Sequence, residues 1–338
     1  MFISPIRHAT SCRSIALSIR RTMSATTFNG EDVYIQLPQI RLGARRFGKK
    51  DHPLLVALHG WLDNASSFEP LARRLSGEYG YQVLAVDWPG HGLSEHRPGM
   101  YPLHFTDYML DLDMLLKHLD HDKEYRTPTA IIGHSMGGLI SSAFSATHPN
   151  RVKKLVVIEA VSPMYEKPGK SKARLVRATE KYDAWLLKMH MRALAGEDTS
   201  KPRIVYESVE VAVQARAKLT GMDAEWCRLL CERNLSVHEG GVAWRSDPRL
   251  RMESLYRSSF EHVDSLMTHV ETTTLMIAGD KGFEDLRKAM PNARRWYTKL
   301  QECTVAGDHH PHLSNATDVA KAIADYLSAE DSVEEIQS

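Results

Sequence analysis

The sequence contains few cysteines and carries almost no net charge. Its 338 residues include four cysteines, and 43 Lys and Arg residues balance 42 Asp and Glu residues to a net charge of +1. Four scattered cysteines are too few for a disulfide scaffold, so we expect the protein in a reducing compartment. The near-zero charge gives no electrostatic indication of binding to nucleic acid or to an anionic membrane surface.

Long apolar runs are also absent from the sequence. A membrane-spanning helix needs about 20 consecutive apolar residues, and no stretch of the chain approaches that length. We therefore expect no transmembrane segment. Hydrophobic residues nevertheless make up 43% of the composition, which is an ordinary proportion for a globular protein with a sizeable core.

Acidic residues are missing from the first 30 positions. Arg7, Arg13, Arg20 and Arg21 alternate there with serines and apolar residues. A composition rich in Arg and Ser and free of acid is typical of mitochondrial transit peptides. Residues 1–30 are therefore interpreted as a transit peptide, which predicts a mitochondrial protein, or as a disordered extension of a cytoplasmic one.

Eight short apolar runs predict strands, and helical patterns lie between most of them. The first two strands, at 32–38 and 40–46, are expected to be antiparallel, and the other six are predicted at 53–60, 81–87, 129–133, 152–160, 272–280 and 300–310. Strands that alternate with helices indicate crossover connections. The fold class predicted is therefore α/β, with a mostly parallel sheet and helices on both faces.

The alternation stops between residues 163 and 268, where one helical pattern follows another. We therefore predict one α/β core, formed by residues 31–162 and 269–328, that is interrupted by a helical cap formed by residues 163–268. Residues 329–338 form an acidic tail.

A lone serine lies where the fifth predicted strand meets a helix. Gly133, Ser135 and Gly137 fit the pattern G-x-S-x-G, the nucleophile elbow. The chain turns sharply at the serine, and the two glycines permit the close approach of backbone that this turn requires. The pattern predicts Ser135 as a nucleophile, and the alternative is a structural turn.

A serine hydroxyl needs a base, and a histidine cluster follows the last predicted strand. His309, His310 and His312 all lie in this cluster, and His309, two residues beyond Gly307, is the predicted base. The cluster could also indicate a metal, but no distant group of His and carboxylate completes such a site in the sequence. We therefore predict no metal ion and no cofactor.

Two carboxylates compete for the role of orienting the imidazole. Asp280 directly follows the seventh predicted strand, and Glu159 follows the sixth. Both positions lie at the carboxyl edge of a doubly wound sheet, where sites form. Asp280 is preferred because it gives the usual chain order of Ser, acid and His, and Glu159 remains the alternative.

Two backbone amides are needed to hold the negative oxygen of a tetrahedral intermediate. One is that of Met136, directly after the nucleophile. The other is predicted to be that of Trp61, in a loop that His59 and Gly60 support after the third strand. Asp63 in the same loop is expected to brace the turn rather than to react.

Four motifs occur in the order seen in a known superfamily: HGWLDNASSF at 59–68, DWPGHGLS at 87–94, GHSMG at 133–137 and GDH at 307–309. Together they resemble the serine hydrolase-like branch of the α/β-hydrolase superfamily, from about residue 33 to residue 327. The segment GVAWRSDPRL at 241–250 resembles one that follows the cap helices in such proteins. The resemblance implies the α/β-hydrolase fold, a cap over the pocket and a Ser/acid/His triad that includes Ser135 and His309. Many relatives place the acid three residues after the glycine of the penultimate strand, and that position is Gly282 here.

The expected reaction is the hydrolysis of a small-molecule carboxylic ester or thioester with a small or apolar acyl group, through an acyl-enzyme. Dehalogenases and epoxide hydrolases of this fold carry Asp as the nucleophile, so Ser135 argues against both. Two alternatives remain open. One is a carbon–carbon bond hydrolase, which also uses serine, and the other is a catalytically silent binding protein, since a fold does not fix a function.

Overall fold

The structure is a computed structural model that describes residues 30–199 and 204–329. Residues 1–29 of the predicted transit peptide and residues 330–338 of the predicted tail lie outside these ranges. Among the helices described, none is both long enough and apolar enough to cross a membrane.

The described part of the chain alternates strands and helices before and after a central insertion. The strands are β1 (Glu31–Gln36), β2 (Arg41–Phe47), β3 (Leu54–Leu58), β4 (Gln82–Val86), β5 (Ala130–His134), β6 (Lys154–Ile158), β7 (Tyr165–Glu166), β8 (Leu235–His238), β9 (Gly241–Trp244), β10 (Ser258–Ser259), β11 (Thr273–Gly279) and β12 (Leu300–Val305). The helices are α1 (Glu69–Gly77), α2 (Phe105–His121), α3 (Met136–Thr147), α4 (Ser171–Leu194), α5 (Val209–Thr220), α6 (Ala224–Asn234), α7 (Phe260–Met267), α8 (Glu284–Trp296), α9 (Pro311–Ser314) and α10 (Ala316–Ser328).

Eight strands form one central sheet in the order β1-β2-β4-β3-β5-β6-β11-β12. Strand β2 is antiparallel to both its neighbours, and the remaining pairs are parallel. Strands β3, β4 and β5 are buried along their whole length, because helices cover both faces of the sheet. The predicted α/β-hydrolase fold, with a mostly parallel eight-stranded sheet, is confirmed.

Two hydrophobic layers lie on opposite faces of this sheet. Ile131 of β5 packs in a cluster with residues of α2, α3, α7 and α8, whereas its neighbour Ile132 packs in a second cluster with residues of α1 and α10. Successive side chains of a strand point to opposite faces, so one continuous apolar run supplies both layers. The rigid sheet carries the ends of β5, β6, β11 and β12 to a common edge.

The insertion between β6 and β11 contains the helices α4, α5 and α6, and also short strands that the sequence pattern did not predict. The strands β8 and β9 form an antiparallel hairpin whose turn includes Gly240 with a φ of 84°. One of the helical patterns that the sequence predicts in this segment lies at 250–260, but the chain there has a 3-10 turn, Pro248–Arg251, and the short strand β10, and the next helix, α7, begins only at Phe260. Arg249 explains the difference, because its buried guanidinium donates to the carbonyl groups of Arg97, Gly99 and Tyr101. These bonds hold the segment against the loop that follows β4.

Helix α7 was included in the predicted cap, yet its packing joins it to the core. Val263 and Met267 are buried in the same cluster as the residues of α3. Residues 260–267 therefore pack with the α/β layers.

Candidate active site

Ser135 occupies the turn between β5 and α3 in a strained conformation. Its φ is 47° and its ψ is −117°, which is unusual for a residue with a side chain. Glycines on both sides make the turn sterically feasible. A Cβ atom at Gly137 would lie 2.0 Å from the carbonyl oxygen of Leu58, and one at Gly133 would lie 2.5 Å from Ser141 Oγ. The residue is half-buried at the carboxyl edge of the sheet.

The loop that joins β12 to α9 contains His309 and His310, and this histidine loop is hydrogen-bonded directly to the turn at Ser135. His134 Nε2 lies 2.8 Å from the carbonyl oxygen of His309 and donates a hydrogen bond to it. His134 immediately precedes Ser135, so this bond holds the backbone of His309, the predicted base, next to the turn that carries the predicted nucleophile. The ring of Phe283 stacks on the ring of His309 at a centroid distance of 3.9 Å, which fixes the orientation of the imidazole.

A carboxylate contacts His309, and it is Glu159. The distance from His309 Nδ1 to Glu159 Oε2 is 3.1 Å, and the Glu159 side chain is completely buried. A carboxylate can only accept here, so Nδ1 carries the proton and Nε2 is left as the basic nitrogen. The backbone N–H groups of Gly279 and Phe283 also donate to Glu159, at 2.7 and 3.3 Å.

Asp280, the acid preferred from chain order, has a different partner. Its Oδ1 accepts from the backbone N–H of Gly307 at 2.9 Å, and the residue is exposed. This bond braces the start of the histidine loop. The structure therefore brings the alternative acid Glu159, and not Asp280, against the imidazole.

Gly282 explains how Glu159 reaches this position. A Cβ atom at Gly282 would lie 2.1 Å from Glu159 Oε1, so any side chain there would occupy the space of the Glu159 carboxylate. Many members of the α/β-hydrolase superfamily, which the sequence resembles, carry their acid at the position of Gly282. Strands β6 and β11 are adjacent in the sheet, so a carboxylate from either strand end can reach the same imidazole.

The two predicted oxyanion donors lie beside Ser135. In the ranges that the structure describes, the backbone N–H groups of Trp61 and Met136 have no acceptor within the protein. A Cβ atom at Gly60 would lie 3.2 Å from Ser135 Cβ, so the loop approaches the serine closely only because Gly60 has no side chain. Two unpaired amides at this point can donate to a negative oxygen.

Residues of the insertion between β6 and β11 hold the loop that carries Trp61 in place. Trp61 Nε1 donates to the carbonyl oxygen of Leu250 at 2.8 Å. Arg216 of α5 donates to the carbonyl oxygen of Leu62 at 3.1 Å and to Asp63 Oδ1 at 2.8 Å. The position of the Trp61 amide thus depends on contacts with the insertion.

His59 is a buried, neutral ring that supports the loop containing Gly60 and Trp61. Its Nδ1 donates to the carbonyl oxygen of Gly60 at 2.7 Å, and its Nε2 accepts from the backbone N–H of Trp88 at 3.0 Å. Burial, the largest effect, lowers the pKa of His59 to about 4. These two hydrogen bonds connect the loop that carries Trp61 to the segment that follows β4.

A second polar cluster, next to the histidine loop, consists of Asp63, His134 and His310. Asp63 Oδ2 accepts from His310 Nε2 at 3.2 Å and lies 3.8 Å from His134 Nδ1. Burial acts to raise the pKa of Asp63, but the hydrogen bond and the charge of His310, together with the charge of Arg216, outweigh it and hold that pKa well below its usual range. Burial and the neighbouring imidazoles keep the pKa of His134 well below 6.5.

Asp63, His134 and His310 present ligand atoms that lie within 4.8 Å of one another, a separation suited to a metal ion. This group was not predicted from the sequence, because Asp63 was interpreted as a brace for its turn and no carboxylate was expected to complete a metal site with the histidines. The distance of 247 positions between Asp63 and His310 gave no signal of their contact.

Comparisons with known proteins support the α/β-hydrolase superfamily and its serine hydrolase-like branch. The profile of the protein family described as serine aminopeptidase, S33, matches residues 49–220, a range that includes Ser135 and Glu159. A serine hydrolase-like protein of Dictyostelium discoideum is 25% identical over 317 residues, which are 89% of this chain and 83% of that protein. An sn-1-specific diacylglycerol lipase of Mus musculus is 24% identical over 289 residues, or 82% of this chain and 81% of that protein. A crystal structure of a hypothetical protein from Pseudomonas aeruginosa PAO1 is 30% identical with a TM-score of 0.75, over 88% of this chain and 100% of that one.

Proposed function

The chain belongs to the family described as serine aminopeptidase, S33, in the serine hydrolase-like branch of the α/β-hydrolase superfamily, and from this premise we propose that it hydrolyses carboxylic esters with Ser135, His309 and Glu159 as a triad. The observation that carries the proposal is the buried carboxylate of Glu159 on His309 Nδ1, 3.1 Å away, in a loop bonded to the nucleophile turn. This contact leaves the other ring nitrogen free to act as a base.

The reaction proceeds through an acyl-enzyme. His309 Nε2 takes the proton of Ser135 as Oγ attacks the carbonyl carbon, and the carbonyl oxygen becomes an oxyanion held by the amides of Trp61 and Met136. His309 then gives its proton to the leaving alcohol or thiol. Water, activated by the same imidazole, releases the acid and restores the serine. Glu159 stays ionised throughout and stabilises the imidazolium that forms in each half of the reaction.

An ester substrate with an apolar acyl group is supported by two observations. The mouse relative is named a diacylglycerol lipase, and its reaction is the hydrolysis of a carboxylic ester. The described part of the insertion, residues 163–199 and 204–259, carries exposed apolar side chains, including Met164 and Val205. We propose that this insertion acts as the cap that binds the acyl group. Thioesters remain a related substrate class, because the same oxyanion forms from them.

The nucleophile can be tested with a fluorophosphonate probe, which reacts with an activated serine. The wild-type protein is expected to gain one covalent adduct, located at Ser135 by peptide mass spectrometry, and Ser135→Ala is expected to gain none. Ser171→Ala, at an exposed serine at the start of α4, is the matched control and should label like the wild type. Labelling that persists in Ser135→Ala would refute the assignment. A panel of esters, thioesters and ketones then identifies the bond that is cleaved.

The amino-terminal composition supports a mitochondrial location, which we propose for the protein. A fluorescent reporter fused to residues 1–30 is expected to enter mitochondria, and a variant with Arg7, Arg13, Arg20 and Arg21 changed to Gln is expected to stay in the cytosol. A wild-type fusion that remains cytosolic would contradict the proposal.

A further inference from the structure

The cluster of Asp63, His134 and His310 has one nitrogen whose hydrogen-bonding capacity is unused. His134 Nε2 donates to the carbonyl oxygen of His309, so the proton of the neutral ring is on Nε2 and a lone pair is on Nδ1. His134 is fully buried, and across residues 30–199 and 204–329 its Nδ1 has no hydrogen-bond partner. A buried nitrogen without a partner is uncommon in a folded protein and calls for an explanation.

The surroundings of this nitrogen suit a cation. Asp63 Oδ2 lies 3.8 Å from His134 Nδ1 and 3.2 Å from His310 Nε2. A tetrahedral zinc ion with bonds of about 2.0–2.1 Å holds its ligand atoms about 3.4 Å apart, so small shifts of the rings would complete a His–His–Asp set. Gly60 keeps the space open, because a Cβ atom there would lie 3.0 Å from His134 Nδ1.

We propose that Asp63, His134 and His310 bind one divalent transition-metal ion of the zinc class, and that the bound ion inhibits hydrolysis. Asp63 would bind through Oδ2 while Oδ1 keeps its bond to Arg216. His310 would bind through Nε2 after its proton moves to Nδ1, so that the ion meets two neutral imidazoles and one carboxylate. His310 is the ligand nearest to solvent, with 21% of its side chain exposed, and it offers the entry path.

Inhibition follows from the distance between the ion and the base. The ring centroids of His134 and His310 lie 4.9 and 5.1 Å from that of His309. A divalent cation held between those two rings opposes the positive charge that His309 must gain when it takes the serine proton. The inhibitory part of the inference rests on the proposed function, whereas metal binding itself does not.

The test uses the untagged full chain after treatment with a chelator. Calorimetric titration with ZnCl₂ is expected to give one site per chain, and CoCl₂ is expected to give the visible absorption bands of four-coordinate Co²⁺. His310→Gln and Asp63→Asn should each weaken Zn²⁺ binding about tenfold or more. His262→Gln, at an exposed histidine of α7, is the matched control and should bind like the wild type. Circular dichroism identifies any variant that fails to fold, and His310→Gln, the more exposed position, is decisive if Asp63→Asn does so.

The outcomes separate the metal site from the proposed function. Zn²⁺ binding that is unchanged in His310→Gln, or that disappears in His262→Gln, would overturn the site. Binding with the expected variants but no ester hydrolysis under any condition would remove the proposed function and leave the site intact. If the wild type hydrolyses esters, Zn²⁺ should inhibit it, and the inhibiting concentration should rise about tenfold in His310→Gln. Hydrolysis that is insensitive to bound Zn²⁺ would overturn the inhibitory role.

Discussion

Replacement of Glu159 by Gln is expected to lower kcat/KM for ester hydrolysis by about 10⁴-fold, whereas Asp280→Asn should lower it by less than about tenfold. The introduced glutamine would offer an amide that can donate to His309 Nδ1, which favours the wrong tautomer of the imidazole and removes the charge that stabilises the imidazolium. Asp280 only braces Gly307 from an exposed position, so its loss leaves the base in place. Steady-state kinetics of the two variants with one ester measures the difference.

The space shared by Glu159 and Gly282 allows a stricter test of the same assignment. Gly282→Asp alone should be nearly inactive, because the new side chain would collide with the Glu159 carboxylate. Glu159→Ala removes that obstacle and the acid together. The double variant Glu159→Ala/Gly282→Asp should recover about tenfold or more of the activity lost in Glu159→Ala, since the carboxylate returns from the neighbouring strand end. Failure to recover, in a double variant that folds, would indicate that Glu159 acts through more than its charge.

The sequence could not decide which of the two carboxylates, Glu159 or Asp280, lies against His309. Strands β6 and β11 pair in parallel, so Glu159 and Asp280 both leave the sheet at the same edge. Chain order favoured Asp280, but the direction of a side chain depends on the backbone. Glu159 has a φ of 54°, which directs its side chain toward the histidine loop, and no local pattern predicted this. Gly282 was the available signal, because a glycine at the usual acid position leaves room for an acid from elsewhere.

The nucleophile turn, in contrast, was predictable because its requirements are local. The strand, the two glycines and the helix all lie within about 20 consecutive residues, and the sterics of one sharp turn fix their order. The hairpin β8–β9 and the core packing of α7 were missed, because both depend on contacts with distant parts of the chain. The polar cluster around Asp63 was missed for the same reason. Periodicity therefore predicted the layers and the local glycine–serine motif predicted the turn, while tertiary contacts decided the acid and the cluster.

Acidification is expected to destabilise the protein, with a slope from His59 and His91 together that approaches about 2.7 kcal/mol per pH unit near pH 5 and is smaller toward pH 6.5 and pH 4. Both rings are buried and neutral. His59 is held as described above, and His91 has Nδ1 against the carbonyl oxygen of Pro89 at 3.1 Å while Nε2 accepts from the backbone N–H of Leu62 at 3.2 Å. Protonation of either ring would convert its acceptor nitrogen into a donor, which would then face the backbone N–H group that it now accepts from. Burial, followed for His91 by the nearby charge of His59, lowers the pKa of His91 to about 3.

The sign follows from comparing the folded and unfolded chains. The folded pKa values, about 4 for His59 and about 3 for His91, lie below the ordinary value of 6.5. As the pH is lowered through 6.5 the unfolded chain binds more protons than the folded one, so the free energy of unfolding falls, and for these groups it levels off only above about pH 7.5. Urea unfolding at pH 7.5, 6.5, 5.5 and 4.5 measures the slope.

Single variants can assign that slope to the two rings. His91→Gln removes one of them and should reduce the slope by about 1.36 kcal/mol per pH unit, whatever its effect on stability at pH 7.5. His269→Gln is the matched control, because 72% of its side chain is exposed and it has no buried nitrogen to protonate. An unfolding free energy that is independent of pH between 7.5 and 4.5, or a slope that is unchanged in His91→Gln, would show that these rings accept protons in the folded state. In that case the loop that carries Trp61 could not be held by neutral histidines, and acid would alter the oxyanion site before it unfolded the protein.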